Sequence, residues 1–181
     1  NFILWLLEIT NKTPNEEQLY CIISILCNHK NMFIQGPGGT GKSYIIECIR
    51  QICSILFIQL IVLAPTGCAS NAIKGDTIHS FLKSPPSFIR DEAICIVDEI
   101  SMVGINKFKE LCKKLSFIKK TKKLMGGLQV VYSGDFAQLE PVNSTNILGS
   151  DQWKLIDSYK LLTINNRAKA GKLQGLLDKI R

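Results

Sequence analysis

Residues 33–49 read FIQGPGGTGKSYIIECI, a short apolar strand that runs into four glycines and a lysine and then into an amphipathic helix. Gly36-Pro37-Gly38-Gly39-Thr40-Gly41-Lys42-Ser43 fits GxxxxGK(S/T) at every position. Glycines so placed let the backbone curl until its N–H groups point at phosphate oxygens, and the following helix presents its positive end to them. Lys42 is then expected to neutralise the β- and γ-phosphates, and the Ser43 hydroxyl to ligate Mg2+. A glycine turn without a ligand is the plainer reading, but the strand before and the helix after count against it.

Outward from this stretch the chain alternates strands and helices. Strands are expected at 32–36, 58–64, 94–98 and 128–133, with a weaker one near 159–163; helices are expected from Thr13-Pro14-Asn15-Glu16 to about Asn28, and at about 41–53, 67–74 and 104–118. The strands are continuous apolar runs, as when helices cover both faces of a parallel sheet, so the fold class is a doubly wound α/β domain. Ligands of such sheets bind outside the carboxyl ends of the strands. The unusual polar clusters all fall there: Gly36 to Ser43, Pro65-Thr66-Gly67, Asp98-Glu99, and Gly134-Asp135 with Gln138.

Ile94-Cys95-Ile96-Val97-Asp98-Glu99 supplies the second half of a phosphate site. A buried strand that ends in two adjacent carboxylates is costly unless a cation waits there. Asp98 is expected to hold Mg2+, directly or through water, and Glu99 to orient and deprotonate an attacking water. Two solvated loop acids are the bland alternative. The second carboxylate suits water as acceptor, which favours a hydrolase over a kinase. No NKxD-type guanine reader follows the fourth strand; YSGDFAQLEPV stands there instead. Gln138 in that segment can touch both a γ-phosphate and the attacking water, although a lone loop glutamine is more often a local hydrogen-bonder.

Composition limits the rest. The chain of 181 residues is long enough for one such domain and too short for two, and neither repeats nor internal linkers divide it. The longest apolar run, Ile55 to Ala64, is interrupted by Gln59 and is half the length of a membrane span. The opening NFILWLLEI lacks a basic flank and a cleavage site, so no signal peptide is read, and the missing initiator Met hints at a longer parent. Seven cysteines without a CxxC pair imply reduced core thiols in an intracellular compartment and no zinc site. The net charge of +7 has one source. Residues 107–123 hold eight lysines and one glutamate, which leaves 14 basic against 14 acidic residues elsewhere. Phe108, Leu111, Cys112, Leu115 and Ile118 recur at helical spacing, so the lysines coat the outer face of a packed helix. A solvated face is the favoured reading there, with contact to nucleic acid or an acidic partner as the alternative.

In order along the chain stand NEEQ, GPGGTGKS, APTGCASNAIKGDTIHSF, VDEISMV, GGLQVVYSGDFAQLEPV and LLTINNRAKAGKLQGLLDKIR. Together, from Asn15 to Arg181, they resemble the Pif-type (petite integration frequency) DNA helicases of superfamily 1B, with RecD-type helicases a step further away. The resemblance implies a RecA-like P-loop NTPase domain, with ATP and Mg2+ as cofactors and single-stranded DNA and duplex junctions as partners. Gln18 looks like the adenine-reading glutamine, and the run Gly36 to Tyr44 like the nucleotide-contacting segment. Asp98 and Glu99 resemble the metal and water-activating pair, Gln138 the glutamine that couples nucleotide state to DNA grip, and Arg167 an arginine that reaches the γ-phosphate. Pro65, Thr66 and Gly67, with Thr77, His79 and Ser80, look like the two segments that hold the single-strand backbone. Small hydroxyls, loop N–H groups and one imidazole can indeed hold successive phosphates without reading bases. On its own, His79 reads as a capping or core histidine.

Three departures from the family pattern stand out. Glu140 replaces the first proline of the QLPPV segment, and only LKSPPSFIRDEA separates Phe81 from Ile94, where the family carries a longer wedge-bearing insertion. The family's second RecA-like domain, with its closing arginine, is not among these 181 residues. The expectation is a domain that folds and binds nucleotide weakly, but neither hydrolyses ATP efficiently nor unwinds DNA alone. A small-molecule kinase is disfavoured for want of lid arginines and an acceptor pocket, and a nucleotide-gated docking ATPase that never unwinds is the main alternative.

Overall fold

A computed structural model of the chain describes residues 2–138 and 147–165. Its strands are β1 Met32–Gln35, β2 Leu60–Ala64, β3 Asp76–Thr77, β4 Ile94–Val97, β5 Gln129–Gly134 and β6 Ser158–Leu161. They form one sheet in the order β3-β2-β4-β5-β1-β6, and every neighbouring pair is parallel. The helices are α1 Phe2–Ile9, α2 Glu16–Leu26, α3 Lys42–Ile55, α4 Gly67–Ala72, α5 Ile78–Lys83 and α6 Ile105–Ile118.

Successive side chains of a strand point to opposite faces, and here each face feeds its own core. Ile34, Val62, Ile96 and Val131 pack with residues of α1, α2 and α3. Phe33, Leu63, Val97 and Tyr132 pack with residues of α5 and α6. Burial on both sides explains the unbroken apolar runs. Among the described residues no helix is long and apolar enough to cross a membrane.

The boundaries differ from the expected ones for local reasons. β2 begins at Leu60 rather than 58, because α3 continues to Ile55 and the chain then turns through Phe57 at φ 56°, with Ile58 N–H closing on Cys53 O at 2.8 Å. α4 ends at Ala72, before Lys74 takes φ 50°. Pro14 stands just before the cap of α2: Asn15 is the cap, and it exchanges hydrogen bonds with Gln18 in a capping box. β3 and α5 are too short to show in an apolar pattern, and α1 is a helix whose Ile3, Leu6 and Leu7 are buried.

Phe108 anchors α6. Its ring is fully buried and meets Tyr132 edge-on at 5.5 Å. Phe108→Ala is expected to cost about 3–5 kcal/mol, the range for a large-to-small change at a close-packed site; a denaturant titration with unchanged slope checks it.

Candidate functional site

The carboxyl ends of the parallel strands share one rim, and their order places the polar clusters along it. From the β3 edge inward come the Thr77–Ser80 segment, the Pro65–Gly67 segment after β2, Asp98 and Glu99 after β4, Asp135 after β5, and the glycine loop after β1.

The loop is shaped by what glycine permits. A Cβ on Gly36 would lie 2.6 Å from Thr40 Oγ1 and 3.0 Å from Leu162 Cβ, so only glycine fits without a shift. Gly41 caps α3 at φ 90°, a left-handed value that L side chains rarely adopt. Thr40 Oγ1 donates to Pro37 O at 2.9 Å, and the buried Lys42 donates from Nζ to Gly36 O at 2.5 Å and Pro37 O at 3.3 Å. Gln18 lies behind the loop: its Nε2 donates to Thr40 O at 3.4 Å while its Oε1 accepts from Asn15 N–H at 3.0 Å. The side chain is buried and braces the cradle from α2. Ser43 is exposed in the first turn of α3. The Tyr44 hydroxyl accepts from Thr13 N–H at 2.9 Å and so fastens α3 to the chain before α2.

Asp98 is buried at the end of β4 and accepts a very short hydrogen bond from Ser133 Oγ. Burial pushes its carboxyl above the usual range, against the Ser133 hydroxyl, the Glu99 N–H and the Lys42 ammonium, which all favour the charged form. Burial also raises Glu99, and the carboxylates of Asp98 and Asp135 add to the rise while Lys42 opposes it. Glu99 takes φ 47°, ψ 44°, a strained conformation for a residue with a side chain, where the chain leaves β4 for the turn Ile100–Met102. Fully buried Asp135 accepts from Ala137 N–H at 3.1 Å and from Gln138 Nε2 at 3.0 Å, so Gln138 is exposed yet oriented.

Three clustered carboxylates, two held above their ordinary values by burial, make a place that a divalent cation would relieve. Among the described residues no group of three or more ligand side chains gathers closely enough to cage a metal. That suits Mg2+, which keeps several waters and takes one or two protein ligands beside phosphate oxygens. Ser43 and Asp98 fit that role.

The burial of the Asp98 carboxyl has a measurable consequence. A carboxyl raised in the folded state means that the fold binds the extra proton, so stability falls as pH rises from the unfolded value through the folded one. Asp98→Asn removes this charge and can retain the Ser133 contact. The nucleotide-free variant is therefore expected to melt higher than the wild type at pH 7–8, and the gap to close towards pH 4. Thermal melts across that pH range check it.

At the other end of the rim, β2 pairs with β3 through Ala64 and Thr77. This register brings the two proposed backbone-holding segments side by side. Thr66 Oγ1 accepts from Ala69 N–H at 3.2 Å and Thr77 Oγ1 from Ser80 N–H at 3.0 Å, each capping its short helix. Thr66, Gly67, His79 and Ser80 are exposed, and Pro65 and Thr77 are half-buried. Arg167 and Glu140 lie outside the described residues.

Ser133 was not among the expected site residues. The β4–β5 register pairs Val97 with Tyr132, which puts Ser133 level with Asp98, one step further along. A small hydroxyl at the carboxyl end of an otherwise apolar strand was the available signal.

Residues 13–180 match the family model described as an AAA domain. The chain belongs to that family. Its sequence relatives narrow the placement to the Pif type. ATP-dependent DNA helicase RRM3 of Saccharomyces cerevisiae is 32% identical over 194 residues, covering 91% of this chain and 27% of that protein. ATP-dependent DNA helicase PIF1 of Danio rerio is 31% identical over 154 residues, covering 75% of this chain and 24% of that protein. The crystal structure of Pif1 helicase from Candida albicans superposes with a TM-score of 0.78 at 28% identity, over 92% of this chain and 43% of that one. This is a Pif-type superfamily 1B RecA-like domain, and it spans about a quarter of the length of the two sequence relatives.

Proposed function

We propose that this Pif-type domain is the first motor domain of an ATP-dependent DNA helicase, with its nucleotide at the β1–β4–β5 end of the rim and single-stranded DNA at the β2–β3 end. The observation that carries the reading is the shared rim: one row of strand ends bears both the phosphate cradle and the paired Pro65–Gly67 and Thr77–Ser80 segments. Strands β4 and β5 stand between them, and Gln138, hydrogen-bonded to buried Asp135, is the link from phosphate to DNA.

Lys42 and the loop N–H groups bind the triphosphate, and Ser43 and Asp98 would hold Mg2+. The ion, when bound, offsets charge that develops on the transferring phosphoryl group. Glu99 takes a proton from the attacking water, for which a carboxyl raised by burial is better matched than an ordinary one. Gln18 acts as a brace of the loop, and its second Nε2–H and second Oε1 lone pair are the groups it would offer to adenine. The site is completed by Arg167 and by an arginine from a second motor domain, worth about 10³–10⁵ in rate in comparable phosphoryl-transfer sites. Translocation, 5′ to 3′ as in the family, requires that second grip. The seven free thiols fit a reducing, intracellular setting.

A docking ATPase that never unwinds is the second reading, and one observation favours it. The segment after α5 lies down on the domain: Ile89 is buried, and Arg90 donates to Gln59 Oε1 and Phe57 O, both at 2.9 Å. No wedge projects there among the described residues. Strand displacement on a forked duplex, by this domain joined to its second motor domain, separates the readings. ATP-dependent displacement supports the helicase; DNA-stimulated turnover without displacement supports the docking ATPase.

A further inference from the structure

Away from the rim, the outer side of α6 and the segment around 149–152 enclose an open groove of about 1140 Å³. Lys109, Lys113, Lys120 and Lys122 line it, and Asp151 is the only acid on its described walls. That acid is already paired with Lys154 at 2.7 Å. Lys107 and Lys119, which do not line the groove, are bridged to Glu110 and Asp91, whereas the four lining lysines form no ion pair among the described residues. Amid them stands Phe117, 80% exposed.

The arrangement follows from helical spacing. Lys109, Lys113 and Phe117 recur every four residues, so they form one stripe with about 6 Å of rise between neighbours. The chain then turns at Lys120, φ 50°, and returns Lys120 and Lys122 to the same groove. The opposite stripe of α6, Phe108, Leu111, Cys112 and Leu115, is core. An exposed phenylalanine costs solubility, and Phe117 stands exposed here among the lining lysines.

We propose that this groove is a second binding site for single-stranded nucleic acid, separate from the rim, with the lysines on phosphates and the Phe117 ring stacked on a base. Three features select that ligand. Four lysines that form no ion pair among the described residues call for a polyanion. The groove is open along its length rather than enclosed, which suits a chain laid across it. The ring among the cations matches the aromatic-plus-basic make-up of single-strand grooves, and a duplex would offer it no base face. Binding here does not depend on the rim being a DNA track. In a motor it would hold a stretch of strand clear of the translocation path.

The test is local. Phe117→Trp adds an indole to Trp5 and Trp153, and oligo-dT is titrated against it with the wild type as baseline. The groove predicts saturable quenching from position 117, whether or not the rim binds DNA. Single-strand binding falls with salt by about 0.7 log units per phosphate neutralised, for each log unit of salt. Adding Lys113→Gln and Lys120→Gln should therefore reduce the slope by about 1.4, while Lys114→Gln, which removes a lysine outside the groove, leaves it unchanged. Nucleotide binding should be unaffected in all of them, which also shows that they fold. Absent quenching, or an equal effect of Lys114→Gln, would overturn the proposal. So would quenching by polyglutamate but not by oligo-dT, which would assign the groove to an acidic protein.

Discussion

Glu99→Gln is expected to lower ATP turnover by the assembled motor about 10²–10⁴-fold, the usual worth of a positioned proton acceptor, with little loss of nucleotide affinity. The carboxamide has nearly the shape of the carboxylate, so it fits the strained left-handed position at residue 99 as well as the natural side chain does. What it cannot do is accept the proton of water. It also removes one of three negative groups gathered at the ends of β4 and β5, so binding of a triphosphate should hold or tighten. Steady-state turnover beside titration of a fluorescent ATP analogue separates the two effects. Retained turnover would show that Glu99 is only a turn residue.

Lys42→Ala is expected to cost more than one interaction. Its ammonium is the cation nearest both Asp98 and Glu99 in effect, and it also ties Gly36 O and Pro37 O together inside the loop. Alanine removes the phosphate's charge partner and the Lys42 tie to Gly36 O, while Pro37 O keeps the Thr40 hydroxyl as a donor. A fall of about 10²–10³-fold in turnover is the scale for losing one preorganised charge-stabilising group, and here nucleotide affinity should fall with it. This contrast with Glu99→Gln is diagnostic: one variant loses chemistry alone, the other binding and chemistry. Equal affinity for nucleotide in Lys42→Ala and wild type would place the triphosphate elsewhere.

The sequence was most legible where its rules are strict. Parallel strands buried on both faces must be apolar throughout, so β1, β2, β4 and β5 stood out, and the cradle could be read because few residue types survive a backbone that turns through left-handed φ at Gly39 and Gly41. β3 was invisible because two residues, Asp76 and Thr77, carry no pattern, yet their pairing with β2 sets the segment that follows them next to the segment after Ala64. Ser133 was missed because its importance lies in register, which a sequence does not display. Gln18 shows the reverse: a motif picks it out, but its brace between Asn15 and Thr40 O depends on a packing angle that no motif encodes. The lysine run was read correctly as the source of the charge. Only the fold shows that four of its members turn into one groove while Lys107 and Lys119 are tied down.

The central claim is that nucleotide and DNA share one rim, and reciprocity tests it most directly. If Asp135 and Gln138 link the two ends, single-stranded DNA must change nucleotide affinity by the same factor as nucleotide changes DNA affinity. The measurement is binding of a non-hydrolysable ATP analogue with Mg2+ by the assembled motor, with and without oligo-dT, in the wild type and in Gln138→Ala. The account predicts a DNA-dependent shift of about 5- to 150-fold, the ordinary range of such coupling, that collapses in Gln138→Ala. Nucleotide affinity indifferent to DNA in the wild type would contradict it.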